Sequence, residues 1–243
     1  MKKNSEKENE CLRPPLKIIA HIHTDFPEKF GIPRQSGLIN ALKAAIVFEP
    51  EYRNPYALRG LEGFSHLWLI WEFSEAVCDT WSPTVKPPRL GGNKRMGVFA
   101  TRSPYRPNAI GLSSVKLDGI ELNTELGPVL HVSGADLLDN TPIYDIKPYL
   151  PYTDSHPEAA GGFADPVKNY VLEVEFPEQL LALIPKTKRE AILGVLAQDP
   201  RPAYQNDPIR IYGVSFAGFN IRFTVQDLLL TVCEITRMEN ELP

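Results

Sequence analysis

The chain has few cysteines for its 243 residues: Cys11, Cys78 and Cys233. They are odd in number and far apart, and none lies in a CxxC pair, which argues against both a disulfide framework and a zinc site. His21 and His23 could share one face of a strand, but no further ligand at suitable spacing completes a metal site. We therefore expect a cytoplasmic protein that binds no metal.

Long hydrophobic runs are also missing. No stretch approaches the roughly 20 apolar residues of a membrane-spanning helix, and the charged start, 1–10, lacks the apolar segment of a signal peptide. The chain contains no GxSxG, no P-loop and no GxGxxG in a strand–helix context, so hydrolase, nucleotide-hydrolysing and Rossmann functions lack support. The net charge of -4 predicts no general attraction to nucleic acid.

Acidic residues are absent from one internal segment, 80–117. Such a segment attracts phosphates even in a chain that is acidic overall. A charge run is most often only a solvated face, but the unbroken absence of acids raises nucleic-acid binding above that interpretation. The basic residues of this segment are Lys86, Arg89, Lys94, Arg95, Arg102, Arg106 and Lys116.

Short apolar runs and 23 prolines are what the sequence does contain, and they favour short elements joined by stiff loops. In residues 64–73, apolar side chains occupy both the odd-numbered and the even-numbered positions, which predicts a central strand buried on both faces. Asp118-Gly119 predicts the turn of a hairpin. The spacing predicts a mainly β protein, an antiparallel barrel or sandwich. The predicted strands of this part are 16–22, 42–48, 64–73, 96–100, 110–117, 120–122 and 129–133.

A stretch rich in proline, glycine and acidic residues, 148–165, is the best candidate for a linker. It separates a strand-rich domain, 14–158, from a small α+β domain, 165–243, and residues 1–13 are predicted to be a disordered tail. Residues 177–198 have helical spacing that Pro185 must kink or split. The predicted strands of the second domain are 167–176, 209–216, 219–225 and 228–235.

Two arginines, Arg102 and Arg106, lie in a proline-stiffened loop between two apolar runs. A stiff loop can hold arginines ready for a carboxylate or a phosphate, and a hairpin loop with solvated arginines is the alternative. An aspartate cluster at 136–145 more often serves turns and caps than ligands. The residues alone therefore indicate a β-rich protein that binds phosphate or carboxylate.

Eight motifs follow one another along the chain: GIPRQSG (31–37), LEGFSHLW (61–68), RLGGN (89–93), GVFATRS (97–103), RPNAIG (106–111), DNTP (139–142), DIKPY (145–149) and DPRPAY (199–204). Each motif alone is weak, but the ordered set is specific. From about Leu16 to the C-terminus, it resembles the TsaA-like (YaeB, TrmO) family of S-adenosylmethionine-dependent tRNA methyltransferases.

The resemblance implies a β-barrel methyltransferase core rather than a Rossmann one, working as a homodimer. It implies transfer of a methyl group from S-adenosylmethionine to N6 of N6-threonylcarbamoyladenosine at tRNA position 37. Where the motifs match, it also implies which residues line the cofactor pocket. These are Pro33, Arg34, Gln35, Ser74, Glu75, Arg102, Leu112, Ser133, Gly134, Ala135 and Asp136.

The chemistry of these groups fits the implied ligands. An arginine suits the carboxylate of the cofactor, and Asp136 suits an amine or hydroxyl. The carbamoyl-bearing N6 is a poor nucleophile, so some group must take its proton or localise its lone pair. Asp139, Tyr144 and Asp145 are the candidates, and no single base is chosen among them.

The predicted tRNA contacts are basic or aromatic side chains, which suit phosphate contact and base stacking. Two alternatives stay open: a non-catalytic RNA-binding barrel, and a methyltransferase of the same fold that acts on another substrate. The predicted tRNA-contacting residues are Lys86, Arg89, Lys94, Arg95, Arg106, Arg201 and Tyr204.

Overall fold

A closed antiparallel barrel dominates the first part of the protein. The computed structural model describes residues 15–76, 80–87, 94–201 and 207–238. The barrel strands are β1 (Ala20–His23), β2 (Lys43–Phe48), β3 (His66–Glu72), β6 (Ile110–Thr124), β7 (Gly127–Ser133) and β8 (Thr141–Pro148). They pair in the order β1-β2-β7-β6-β3-β8, and β8 pairs back with β1. The predicted mainly β, antiparallel barrel is confirmed, and the sandwich alternative is excluded.

Strand β3 shows how the barrel interior is filled. Leu67, Leu69 and Trp71 point inward and are buried, whereas Trp68 and Ile70 on the outer face are only half-buried. The prediction of a strand buried on both faces is therefore wrong. Strand β3 does lie between two neighbours, β6 and β8, but its outer apolar side chains face a shallow surface groove rather than a second layer.

The Asp118-Gly119 pair lies inside β6 and forms no turn, so the hairpin prediction is wrong. The chain instead turns between Thr124 and Gly127, which pair with each other. A register shift between Leu117 and Gly119 marks a bulge. Gly119 lacks the positive φ that a type I′ turn demands.

The second sheet and its helices form the C-terminal part. Pro185 precedes the second of two helices and separates it from the first, which confirms the predicted split. The predicted strand 167–176 is much shorter than expected. The elements are β9 (Glu173–Glu175), β10 (Tyr212–Phe216), β11 (Phe219–Gln226), β12 (Leu229–Arg237), α2 (Glu178–Leu181) and α3 (Lys186–Ala197). The sheet order is β10-β11-β12-β9, with β9 parallel to β12 and the other pairs antiparallel.

Two short strands lie between β3 and β6 in the sequence. β4 (Thr84–Val85) pairs with β5 (Met96–Gly97), and together they form a two-stranded arm. A short helix, α1 (Pro151–Asp154), follows the barrel. No helix in the described ranges is long and apolar enough to span a membrane. Single turns of 3-10 helix occur at Pro50–Tyr52, Pro55–Leu58, Leu61–Gly63, Ser74–Ala76 and Val98–Ala100, and a longer one at Gly162–Val167.

The buried apolar residues form two clusters, one inside the barrel and one on the C-terminal sheet. The second cluster includes Phe26, Ile39 and Leu42, which come from the segment between β1 and β2. The Phe26 ring meets Phe216 of β10 edge-on, with centroids 5.4 Å apart. Residues of the predicted first domain, 14–158, therefore contribute to the core of the predicted second domain, 165–243. The predicted tail, 1–13, lies outside the described residues.

Candidate functional site

A gap between β6 and β7 forms the base of the candidate site. In the described barrel, β7 pairs with β6 only from Lys116 onward, so residues 110–115 of β6 have β3 on one side and no strand on the other. Two loops, 31–37 and 134–136, occupy that side. The Ser36 hydroxyl accepts a hydrogen bond from the Ser114 amide at 3.1 Å. The loop 31–37 therefore lies directly against this edge of β6.

The two loops are joined by their backbones. The Gly37 amide donates to the Gly134 carbonyl at 2.9 Å, and the Gly134 amide donates to the Leu42 carbonyl at 2.9 Å. Gly134 has φ +77°, and a Cβ there would lie 3.3 Å from the Gly37 backbone. Glycine at 134 therefore allows both the left-handed conformation and the close approach.

Asp136 is held by a hydrogen-bond chain that starts inside the barrel. The Trp71 indole donates to the Ser113 hydroxyl at 3.0 Å, and that hydroxyl donates to the Asp136 carboxylate at 2.6 Å. Burial raises the pKa of Asp136, although the Ser113 hydrogen bond and the positive charge of Arg102 oppose this shift. This hydrogen-bond chain fixes one carboxylate oxygen of Asp136, and burial removes part of the water around the carboxyl group.

Arg102 and Gln35 complete the polar part of the site. The Arg102 guanidinium donates to the Gln35 side-chain carbonyl, and its charge acts on Asp136. Pro33 is buried and Arg34 is half-buried in the same loop. The structure thus brings the predicted residues Gln35, Arg102 and Asp136 together at the gap.

Leu112 offers its backbone to the gap. At the two ends of the β3–β6 pairing, the Phe73 amide donates to the Ala109 carbonyl and the Leu117 amide donates to the Ser65 carbonyl. By the alternation of antiparallel pairs, the peptide groups of Leu112 point away from β3 and towards loop 31–37. The Ser114 amide, two residues on, points the same way and binds Ser36. Leu112 can therefore present one donor and one acceptor to a planar ligand.

The other predicted cofactor residues lie around this centre. The Ser133 hydroxyl is engaged with Lys43 and Asp118, and Ser133 pairs with Lys116 where the β6–β7 pairing begins. Ala135 is buried in the barrel cluster. Glu75 follows β3 and binds Lys29 through its carboxylate at 3.2 Å and its carbonyl at 2.7 Å. Ser74 and Glu75 are exposed, and their role in cofactor binding stays a prediction.

The three candidates for the base do not share one place. The Asp139 carboxylate accepts from the Thr24 amide at 2.9 Å and so ends β1. The Asp145 carboxylate pairs with Lys147 at 2.8 Å. Burial, together with the Glu72 carboxylate beside it, raises the pKa of the Tyr144 phenol. Among the described contacts, none joins the three to one another.

The predicted tRNA contacts have mixed outcomes. Lys86, Lys94 and Arg95 are exposed on or beside the β4–β5 arm. Arg106 is half-buried and donates to the carbonyls of Val98 (3.3 Å) and Thr101 (2.6 Å), so it first of all holds its own loop. Arg89 and Tyr204 lie outside the described residues.

Arg201 is not available at the surface, which corrects its prediction as an RNA contact. Its side chain is 7% exposed and is paired in two places with Asp199, at 2.8 and 2.9 Å. Tyr170 donates to the same carboxylate at 3.0 Å. Burial alone would raise the pKa of Asp199, but the Arg201 hydrogen bonds and charge hold it below its usual value. The motif 199–204 therefore starts with an internal ion pair.

Sequence reasoning missed Trp71, Ser113 and Ser36 as parts of the site. A polar residue in the inward register of an apolar strand is the signal for Ser113, because such a residue needs a buried partner. Gly111 is a second signal, since a Cβ there would overlap the Trp71 indole. Among the described side chains, no group of three or more His, Cys, Asp and Glu could hold a metal ion.

Comparisons with known proteins found two matching family profiles and several similar proteins. Residues 21–155 match the family profile of the tRNA-methyltransferase O N-terminal domain, and residues 169–238 match that of the TrmO C-terminal domain. The chain is 42% identical over 217 residues to the tRNA (adenine(37)-N6)-methyltransferase of Escherichia coli K12, covering 86% of this chain and 92% of that one.

Two further relatives come from Pseudomonas aeruginosa. RcsF, provisionally named an S-adenosylmethionine-dependent methyltransferase, is 45% identical over 213 residues, which cover 84% of this chain and 90% of that protein. A crystal structure of TrmO superposes with a TM-score of 0.74 at 36% identity, covering 95% of this chain and 100% of that one.

Proposed function

Because the chain belongs to the tRNA-methyltransferase O family, we propose that it transfers a methyl group from S-adenosylmethionine to N6 of adenine 37 in tRNA. The observation that carries this proposal is the meeting of Arg102, Gln35 and Asp136 at the unpaired edge of β6. We propose further that the target adenine carries a threonylcarbamoyl group. This finer assignment rests on the motif resemblance alone.

The residues at the gap fit the chemical groups of the cofactor. Arg102 supplies a cation for its carboxylate, and Asp136 supplies a carboxylate for its ammonium group or ribose hydroxyls. The peptide groups of Leu112 suit the edge of an adenine ring. When bound, S-adenosylmethionine supplies an electrophilic methyl group on a sulfonium.

The protein contributes position more than covalent chemistry. Methyl transfer needs nitrogen, methyl carbon and sulfur in line, and holding reactants in such an arrangement supplies much of the acceleration. The chain Trp71–Ser113–Asp136 fixes the carboxylate, and the Gly37–Gly134 backbone contact fixes the loop that carries Gln35. Groups that the protein itself holds in position need little reorganisation when the reactants bind.

The carbamoyl-bearing N6 must lose its proton, and Tyr144 with Glu72 is the pair best arranged for this. The Tyr144 phenol is protonated at neutral pH, as tyrosine ordinarily is, so it can donate a hydrogen bond. The Glu72 carboxylate, which with burial raises the pKa of this phenol, is the acceptor beside it. Asp139 and Asp145 are each engaged in local contacts. Replacing Glu72 by Gln, Tyr144 by Phe, and Asp139 and Asp145 by Asn, one at a time, tests the assignment. It requires that the first two variants lose the most turnover.

The decisive cofactor test compares two exposed arginines. We expect titration with S-adenosylmethionine to show binding by the wild-type protein, weaker binding by Arg102→Ala and unchanged binding by Arg59→Ala, a control that lies outside the gap. Absence of binding by the wild-type protein would contradict the proposal and favour the non-catalytic RNA-binding barrel.

The substrate test is mass analysis of tRNA nucleosides from a strain that lacks the gene. We expect methylated threonylcarbamoyladenosine to disappear and to return with the wild-type gene. Its persistence would make the assigned substrate wrong and favour a methyltransferase of the same fold with another substrate. We further propose a cytoplasmic homodimer, which light scattering of the purified protein and cell fractionation would test.

A further inference from the structure

The turn that leads to Arg102 displays aromatic rings to solvent. Phe99 is 70% exposed and Trp81 is 50% exposed, and their ring centroids lie 6.0 Å apart at an interplanar angle of 30°. Tyr105, in the same loop region, is 54% exposed. Neighbouring exposed aromatic rings are costly to leave in water and commonly mark a contact surface.

The surroundings of these rings are basic. The Arg106 guanidinium lies 5.8 Å from the Phe99 ring centroid, and Lys86 and Lys94 are exposed on the adjoining arm. The whole segment 80–117 contains no acidic residue. Cores of protein–protein interfaces are depleted in lysine, whereas rings set among cations are typical of surfaces that bind single-stranded nucleic acid.

The rings are attached firmly to the cofactor side of the site. The Val98 amide donates to the Pro83 carbonyl at 3.0 Å, which ties the turn of Phe99 to the segment of Trp81. The Thr101 hydroxyl donates to the Val98 carbonyl at 2.8 Å, and Arg106 binds the carbonyls of both residues. Phe99 and Arg102 are three positions apart in the sequence, so their Cα atoms are at most about 11 Å apart. That distance corresponds to a few stacked bases.

We propose that Trp81 and Phe99 form a stacking surface for unpaired bases of the tRNA anticodon loop beside the target adenine. Phosphates of those nucleotides would then meet Arg106 and the lysines of the arm. This inference rests on the proposed function, because it takes tRNA as the substrate. It adds aromatic positioning residues to a set of contacts that was predicted almost wholly from charge.

The experiment uses an anticodon stem-loop RNA with 2-aminopurine at the position next to adenine 37. We expect wild-type protein to quench the fluorescence of this base, and Phe99→Ala and Trp81→Ala to quench it much less. Loss of one stacked base corresponds to roughly 5- to 150-fold weaker RNA binding. Phe99→Trp should retain most of the binding, and Tyr56→Ala, which removes an aromatic side chain that is 80% exposed outside the segment, should retain all of it.

Salt dependence separates stacking from charge. Phe99→Ala should weaken RNA binding at every salt concentration and leave the slope of log K against log salt unchanged, whereas Lys86→Ala should reduce that slope by about 0.7. Binding of S-adenosylmethionine should be the same in wild type, Phe99→Ala and Trp81→Ala.

Three results would overturn the stacking surface. They are wild-type RNA affinity in both alanine variants, undiminished quenching, and a change of oligomeric state that would make the rings an interface between two copies of the chain. A failure of the proposed function is seen differently, as the absence of methylation by a wild-type protein that still quenches the probe.

Discussion

The two hydrophobic cores of the protein differ in where their residues come from. The barrel core is built from the barrel strands and the loops next to them. The C-terminal core takes Phe26, Ile39 and Leu42 from the loop region that also carries Gln35. The barrel thus supplies the contacts of the site, whereas the C-terminal part fixes the loop that completes it. We therefore expect the C-terminal part, which carries none of the proposed cofactor contacts, to influence cofactor affinity.

Gly31 is the sharpest test of this division. It has φ +93°, and a Cβ there would overlap the Val214 side chain of β10. We expect Gly31→Ala to destabilise the protein by about 2–5 kcal/mol, from the strained φ and from overpacking. This corresponds to a fall of roughly 5–15 °C in the melting temperature.

The matched control for Gly31 is Gly60→Ala. Gly60 has nearly the same φ, +90°, but nothing within 4 Å of its Cβ position. Gly60→Ala should lower the free energy of unfolding only by the strain of this backbone conformation, about 1 kcal/mol. Weaker binding of S-adenosylmethionine by Gly31→Ala alone would support the idea that the C-terminal core positions loop 31–37. Unchanged binding would contradict it.

Replacing Asp136 and replacing Asp118 should have opposite effects on cofactor affinity and on stability. Asp136→Asn should weaken binding of S-adenosylmethionine by roughly 10- to 150-fold, the range for a lost hydrogen bond to a charged group. Its stability should hold or rise, since burial disfavours the Asp136 charge. Asp118→Asn should keep the affinity and lose stability, because Lys43 and Lys116 hold the pKa of Asp118 low against the effect of burial. Calorimetry of both variants measures the two effects.

The pH dependence of cofactor binding follows from the raised pKa of Asp136. As the pH falls through this raised pKa, the carboxylate becomes neutral and no longer attracts an ammonium group, so affinity should fall on the acid side. For stability the sign is reversed: the folded state holds this proton more tightly, so the contribution of Asp136 declines as the pH rises through the raised pKa. Titrations of wild type and Asp136→Asn from neutral to acid pH measure the first effect, and the variant should show the flatter profile.

The ion pair between Lys188 of α3 and Asp25 links the two parts of the molecule at 2.5 Å. Both side chains are largely covered, so Lys188→Met should cost about 1 kcal/mol, at the upper end for such pairs. The matched pair Lys17–Glu51 is exposed on both sides, at 3.5 Å. Lys17→Met should have no measurable effect in thermal unfolding, and equal losses in the two variants would contradict the proposed linkage through α3.

Gly119 should give the smallest effect. It lies in a strand with an ordinary φ and nothing within 4 Å of its Cβ position. Gly119→Thr should therefore be neutral or stabilising by up to about 1 kcal/mol, since glycine is unfavourable within a strand. A large loss of stability would mean that this position behaves like Gly31, and that the barrel is as tightly constrained as the C-terminal contact.

Most residues of the candidate site could be predicted from the sequence because its motifs are local. Gln35, Arg102 and Asp136 each lie in a short, recognisable segment, and folding only had to bring the segments together. Ser113 and Trp71 were missed because a polar residue in the inward register signals only that a buried partner exists. Which residue is that partner depends on the register between β3 and β6. Asp118-Gly119 misled because the same dipeptide fits both a turn and a bulge. Arg201 misled because Asp199, two residues earlier, neutralises it.

The unpaired edge of β6 has a consequence for assembly. A strand edge with open peptide groups is a template on which another chain can add, and proteins commonly cover such edges to avoid aggregation. Here loop 31–37 covers one part of the edge through Ser36, and a bound adenine ring would occupy the part at Leu112. A ligand bound there would therefore cover the remaining part of the edge and disfavour self-association of the protein through β6.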